Sequence, residues 1–138
     1  MASKELVQSA IDAYLRAIKA MDADAFADAF APDGISNDPV GTPPHEGRAA
    51  IRNFLQGILA VCQRVSLEPD QVFIAGESAA LKWTGQLTTR NGQSVTFEGI
   101  DVIQVNDEGK IQTLHAYWDP APVMTVLQAG SKASAAAS

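Results

Sequence analysis

Apolar residues recur at three- and four-residue steps near the start of the chain: Leu6, Ala10, Tyr14, Ala17, Ile18 and Met21. That spacing predicts an amphipathic helix over Ser3 to Met21, with Ser3 able to cap its first turn. A second, short helix is predicted from Asp22 or Asp24 through Phe26, Ala29 and Phe30, ended by Pro32, Asp33 and Gly34. A short extended segment, Ile35 to Asp38, and a Pro/Gly loop, Pro39 to Pro44, lead to a third helix from Gly47 to Val61. Its apolar stripe is Ile51, Phe54, Leu55, Ile58 and Leu59. Beyond it the period falls to two. Strands are predicted over Val65–Ala75, Ala79–Thr89, Ser94–Val105 and Lys110–Trp118. The segments Asn91-Gly92 and Asp107-Glu108-Gly109 are hairpin signals between them. Helices followed by an antiparallel meander make an α+β protein. A curved sheet wrapped around the long first helix would form a cone with one open apolar mouth, a setting that small-molecule sites favour.

Composition narrows this picture. The chain has 138 residues, enough for one domain with a real core, here placed over residues 1–128. Residues 129–138 are Ala/Ser-rich with little to bury, and a disordered tail is expected there. The formal net charge of −6, with no basic run, argues against nucleic acid as a partner. No apolar run approaches the roughly 20 residues that span a bilayer, and no signal-peptide pattern opens the chain. A cytoplasmic location is expected. The single cysteine, Cys62, excludes an intramolecular disulfide and reads as a structural thiol.

Candidate chemistry is sparse. Asp101 lies in the strand Phe97–Val105, where alternation puts it on the face of Phe97, Gly99, Ile103 and Val105. A carboxylate on an apolar face needs a partner or a raised pKa, and a neutral carboxyl can donate a hydrogen bond. A bulge would instead turn it to solvent. Asp38, before Pro39, is either a turn aspartate or a general base. Tyr14, on the apolar stripe of the first helix, is either a core tyrosine or an oxyanion donor. His45 and His115 are too far apart to read as a metal pair and are taken as structural. Glu5, Asp12 and Lys19 read as a solvated helix face. No phosphate loop, nucleophile elbow or Cys/His pair is present.

Three segments carry a family resemblance. Asn37-Asp38-Pro39-Val40-Gly41-Thr42-Pro43-Pro44-His45-Glu46-Gly47-Arg48-Ala49-Ala50-Ile51 resembles the base-bearing loop and following helix of bacterial ketosteroid isomerases. Gly99-Ile100-Asp101-Val102-Ile103 resembles the strand with their oxyanion-hole aspartic acid, and Gly109 to Trp118 resembles their last strand. Tyr14 falls where that family has its oxyanion-hole tyrosine. The resemblance covers about residues 5 to 120 and places the chain in the wider nuclear transport factor two-like superfamily. It implies a cone-shaped α+β barrel, three N-terminal helices on a curved, mostly antiparallel sheet, assembled as a homodimer. It implies conversion of 3-oxo-Δ5-steroids to 3-oxo-Δ4-steroids with no cofactor and no metal. Asp38 would carry the proton, and Tyr14 and a protonated Asp101 would bind the enolate oxygen. An aspartic acid kept neutral by an apolar site is the family's own known device. The ligand would be a steroid or another apolar ketone, against walls formed by Phe54, Leu55, Leu59, Trp83, Phe97, Leu114 and Trp118. A dehydratase, another ketone isomerase, or a binding protein for an apolar ligand remain alternatives on the same fold.

The chain departs from the resemblance behind Tyr14. Well-known members support that tyrosine with further tyrosines, and here the positions hold Leu55 and Phe30. Tyr14 is then expected to lack cooperative polarisation, leaving Asp101 a larger share of the oxyanion stabilisation.

Overall fold

The computed structural model describes the backbone of residues 1–137 and the side-chain surroundings of residues 1–129. Helix α1 spans Lys4–Lys19; Ser3 caps it, its hydroxyl accepting the Leu6 N–H at 3.2 Å. Helix α2, Ala23–Asp28, is capped by Asp22, which accepts the Ala25 N–H at 3.0 Å. Strand β1 is Phe30–Asn37, β2 is His45–Glu46, and helix α3 is Gly47–Leu59. The long strands β3 Cys62–Ala75, β4 Ser78–Thr89 and β5 Ser94–Val105 follow, then β6 Ile111–Tyr117 and helix α4 Ala121–Ala137.

The strands form one sheet in the order β2-β1-β6-β5-β4-β3. It is curved and unclosed. Pairing is antiparallel except between β1 and β6, which run parallel, so the meander covers β3 to β6 only. Hairpins turn where Gly76, Gly92 and Gly109 adopt positive φ, which glycine alone takes without strain. The core fills the concave side. Val7, Ile11 and Tyr14 of α1, Phe26, Phe30 and Ile51 meet Leu81, Trp83, Ile103, Ile111 and Leu114 of the sheet, all essentially buried.

Three elements differ from the sequence pattern. β1 begins at Phe30, not Ile35, and contains Pro32, Asp33 and Gly34, which had read as a stop. β2 pairs with β1 only at Ile35 and Ser36, so the proline lies on an open edge, where its missing N–H deprives no neighbour. β2 is too short to announce itself. α4 was not foreseen: Asp119 starts it, accepting the Ala121 N–H at 3.0 Å, and Val123 is buried beneath it. The expected disordered tail falls on residues whose side chains, from 130 onward, lie outside the described ones; the backbone is helical to Ala137. No described helix is long and apolar enough to cross a membrane.

Candidate active site

Asp101 sits mid-β5, between Leu81 of β4 and Ala116 of β6. The strand alternates as parity requires, with Gly99, Asp101, Ile103 and Val105 buried and Ile100, Val102 and Gln104 facing out. Asp101 is 0% exposed. Trp83 Nε1–H donates to its Oδ1 at 2.9 Å, while Oδ2 has no hydrogen-bond partner. Burial pushes the carboxyl pKa up to about 7, with help from the charge of Asp38 and against the Trp83 hydrogen bond and the nearby Tyr14 hydroxyl, which lies outside hydrogen-bond geometry here.

Asp38 is the first residue beyond β1. The loop after it is tied to β6 by Val40 N–H on Ala116 O at 2.8 Å. Trp118, just past β6, donates its Nε1–H to Asp38 Oδ1 at 2.7 Å. Burial pushes this carboxyl up to about 6, opposed by the Trp118 bond. From sequence Asp38 is either a turn aspartate or a base at the edge of a Pro/Gly loop. The structure draws it into an apolar wall, because parallel pairing with β6 carries the end of β1 inward beside Trp118.

Tyr14 is 2% exposed, packed on Phe26 with ring centroids 5.3 Å apart and on the edge of Phe30 at 6.3 Å. Burial, then the charges of Asp101 and Asp38, hold its hydroxyl pKa well above the ordinary value. It is therefore a neutral donor. The rings packed against it, Phe26 and Phe30, carry no hydroxyl.

Tyr14, Asp38 and Asp101 all line one cavity of about 60 Å³. Of the side chains expected in its wall, Phe54, Leu55, Trp83, Phe97 and Trp118 are there. Leu59 and Leu114 are not. Leu59, near the end of α3, and Leu114, inward on β6 opposite Ile103, are 5% and 0% exposed and belong to the packed core. Wall residues missed from sequence are Ile18, Phe26 and Ile58 on helices, Val65, Leu67 and Leu87 on β3 and β4, and Val123 of α4. On the helices and strands apolar periodicity does not separate core from wall, and Leu87 read as either; Val123 lies on α4, which the sequence pattern did not show. The cavity opens past Asp38, Phe54, Ile58 and Trp118 into a recess of about 690 Å³, flanked by Pro43, His45, Met124 and Leu127. Among the described residues no three His, Cys, Asp or Glu side chains gather as a metal would require.

A family model described as the SnoaL-like domain matches residues 11–114. The chain belongs to the SnoaL-like domain family. Among curated proteins it is 35% identical over 119 residues to a Steroid Delta-isomerase of Nocardioides simplex, covering 86% of this chain and 94% of that one. Among solved structures it resembles SalBIII, an epoxide hydrolase/cyclase-like enzyme of pyran ring formation in the polyether salinomycin. That match has a TM-score of 0.77 and 27% identity, and it covers 86% of this chain and 95% of that one. An NTF2-like protein of unknown function from Burkholderia pseudomallei shares the fold, with a TM-score of 0.73 at 19% identity over 88% of this chain and 97% of that one.

In this SnoaL-like chain the site is a mostly apolar pocket with two aspartates in different settings. The chain has two tryptophans, and each gives its indole N–H to one of them. Phe97 stands between, its ring centroid 5.5 Å from Trp83 and 5.6 Å from Trp118. A carboxylate at the rim can take a proton. A neutral acid and a phenol deeper in can stabilise the oxygen on which charge then develops.

Proposed function

We propose that the protein is a steroid Δ-isomerase acting on 3-oxo-Δ5-steroids. One observation carries this reading. A buried carboxyl oxygen without a partner, Asp101 Oδ2, lies in the same small apolar cavity as a neutral tyrosine and a second carboxylate. An isomerase of this kind needs a base and two neutral donors, and hydrocarbon everywhere else. The similarity to the Nocardioides simplex Steroid Delta-isomerase supports the same reaction.

In it, Asp38 removes the proton from the carbon between the ketone and the alkene. Charge moves to the ketone oxygen, which receives hydrogen bonds from Tyr14 and from the Asp101 carboxyl. Asp38 then returns the proton at the far end of the dienolate, and the double bond becomes conjugated. Atoms and charge balance without any further reactant. The hydrocarbon body of the substrate extends into the outer recess. The raised Asp101 pKa of about 7 speaks against a purely binding role, since a passive apolar pocket has no use for a buried acid.

Mixing the protein with a Δ5-3-ketosteroid should produce conjugated-enone absorbance. Asp38→Asn should lower kcat by about 10² to 10⁴, the usual contribution of a general base. Turnover untouched by that substitution would overturn the reading. A second reading draws on the likeness to SalBIII. A neutral acid facing a carboxylate base also suits ring opening or closure, and a panel of epoxides and enones beside the steroid separates the two.

A further inference from the structure

The support missing behind Tyr14 reappears on the other side of the site. Trp83 lies on β4 directly opposite Gly99 of β5, two residues before Asp101. Its indole runs across Gly99. A Cβ there would stand 2.6 Å from Trp83 Cζ2 and 2.7 Å from Tyr117 O. No real Cβ comes so close, so the absence of a side chain at 99 gives the indole its path. Phe97 packs against the indole edge-on, with ring planes at 82°. Thus held, the ring delivers Nε1–H to Asp101 Oδ1.

An indole nitrogen only donates. In a neutral carboxyl the carbonyl oxygen is the stronger acceptor, so the indole N–H favours the tautomer with the proton on the other oxygen. That other oxygen, Oδ2, is the one left without a partner. We propose that Trp83 is a positioning residue for Asp101: its N–H fixes which carboxyl oxygen bears the proton and keeps that oxygen free for the ligand. This rests on the isomerase-type reading, in which Asp101 donates to a developing oxyanion. Trp83 also sharpens the donor. As the proton shifts toward the substrate oxygen, negative charge builds on the carboxyl, and the indole N–H stabilises it.

The titratable groups acting on Asp101 are Tyr14 from α1 and Asp38 from the end of β1. Neither changes in Trp83→Phe, which keeps an aromatic ring over Gly99 and removes the N–H. Because that N–H holds the Asp101 pKa down, its loss should move the alkaline limb of the kcat/KM profile upward by about one unit. At the same time kcat should fall about tenfold to a hundredfold, as for a misaligned catalytic group. A residue that merely fills space would lower activity without moving that limb. In an Asp101→Leu background the same substitution should cost less than about twofold, since its partner is gone.

Binding of 2-naphthol, whose phenol oxygen imitates an enolate oxygen, gives a readout independent of steroid turnover. Trp83→Phe should weaken it about tenfold and lower the ionised fraction seen in its absorbance. If the wild type turns over no Δ5-3-ketosteroid yet binds 2-naphthol in a Trp83-dependent way, the steroid reading falls and the role of Trp83 stands. If the wild type is active and Trp83→Phe keeps both the pH limb and the naphthol affinity, the role of Trp83 falls. Equal losses from Trp83→Phe with and without Asp101 would also overturn it.

Discussion

Asp38 and Asp101 are the same residue type and must do opposite things at one pH. Asp38 works as a base only when ionised, and burial pushes its pKa up to about 6. Asp101 works as a donor only when protonated, and burial pushes its pKa up to about 7. The charge of Asp38, once ionised, helps hold Asp101 protonated. A kcat/KM profile should therefore be bell-shaped, rising as Asp38 ionises and falling as Asp101 does, with its maximum between about 6 and 7. Stability carries the same signature. A carboxyl whose pKa rises from 3.8 unfolded to about 7 folded binds its proton more tightly in the folded state. Its contribution is complete at acid pH and is lost as pH rises toward 7. Thermal melts should show Tm falling between about pH 4 and pH 7, and Asp101→Asn should remove much of that slope. A flat Tm profile in the wild type would contradict the assigned burial. At this scale sequence went far with Asp101, because strand parity alone aimed it inward. It went less far with Trp83. The indole's path depends on cross-strand register, which pairs residues 16 apart in sequence, Trp83 and Gly99. One signal was available: a glycine inside a strand often marks a close approach by another group.

Elements were legible where periodicity is strong and local. α1, α3 and the hairpins at Asn91-Gly92 and Asp107-Glu108-Gly109 follow from apolar spacing and turn residues. β1 was truncated because Pro32 and Gly34 look like punctuation, and only the short neighbour β2 makes the proline tolerable. α4 was missed because its start, Asp119-Pro120-Ala121-Pro122, reads as a loop and its sequence from Ala129 onward is Ala/Ser-rich. Yet α4 reaches the site. Val123 is 2% exposed and forms part of the inner wall, while Met124 and Leu127 flank the outer recess. None of Tyr14, Asp38 and Asp101 lies on it. Truncation after Pro120 should therefore raise KM several-fold with a smaller change in kcat, because the apolar wall is lost and the reacting groups are retained. Loss of the buried valine should also cost about 1.5–3 kcal/mol of stability. Steady-state kinetics with a Δ5-3-ketosteroid, beside a denaturant melt, decides it. An unchanged KM would show that α4 does not close the wall in solution.

At the scale of the whole molecule the outer face of the sheet exposes large apolar side chains that the site does not use. Parity that buries Asp101 turns Ile100 and Val102 outward, at 44% and 40% exposed. Tyr117, 51% exposed, is the cross-strand partner of Ile100. Phe73, 65% exposed, pairs with Ala80, which in turn pairs with Val102. These side chains form one connected apolar area across β3 to β6. Beside it, Lys82 bridges Asp70 at 3.1 Å and Glu98 at 3.3 Å, a polar border worth little by itself. Isolated apolar residues on a surface are ordinary, whereas a larger contiguous set marks an interaction site. The family resemblance implies a second copy of the chain, and a repeated face would suit a two-fold contact. The protein should then sediment as a dimer at micromolar concentration. Val102→Asp would place like charges across such a contact and should shift the protein to monomer. Because Val102 points away from the cavity, the monomer should keep the bell-shaped pH profile set by Asp38 and Asp101. A wild type that sediments as monomer at every concentration would rule out this contact and leave the apolar face to another occupant. A dimer indifferent to Val102→Asp would place the contact elsewhere on the surface.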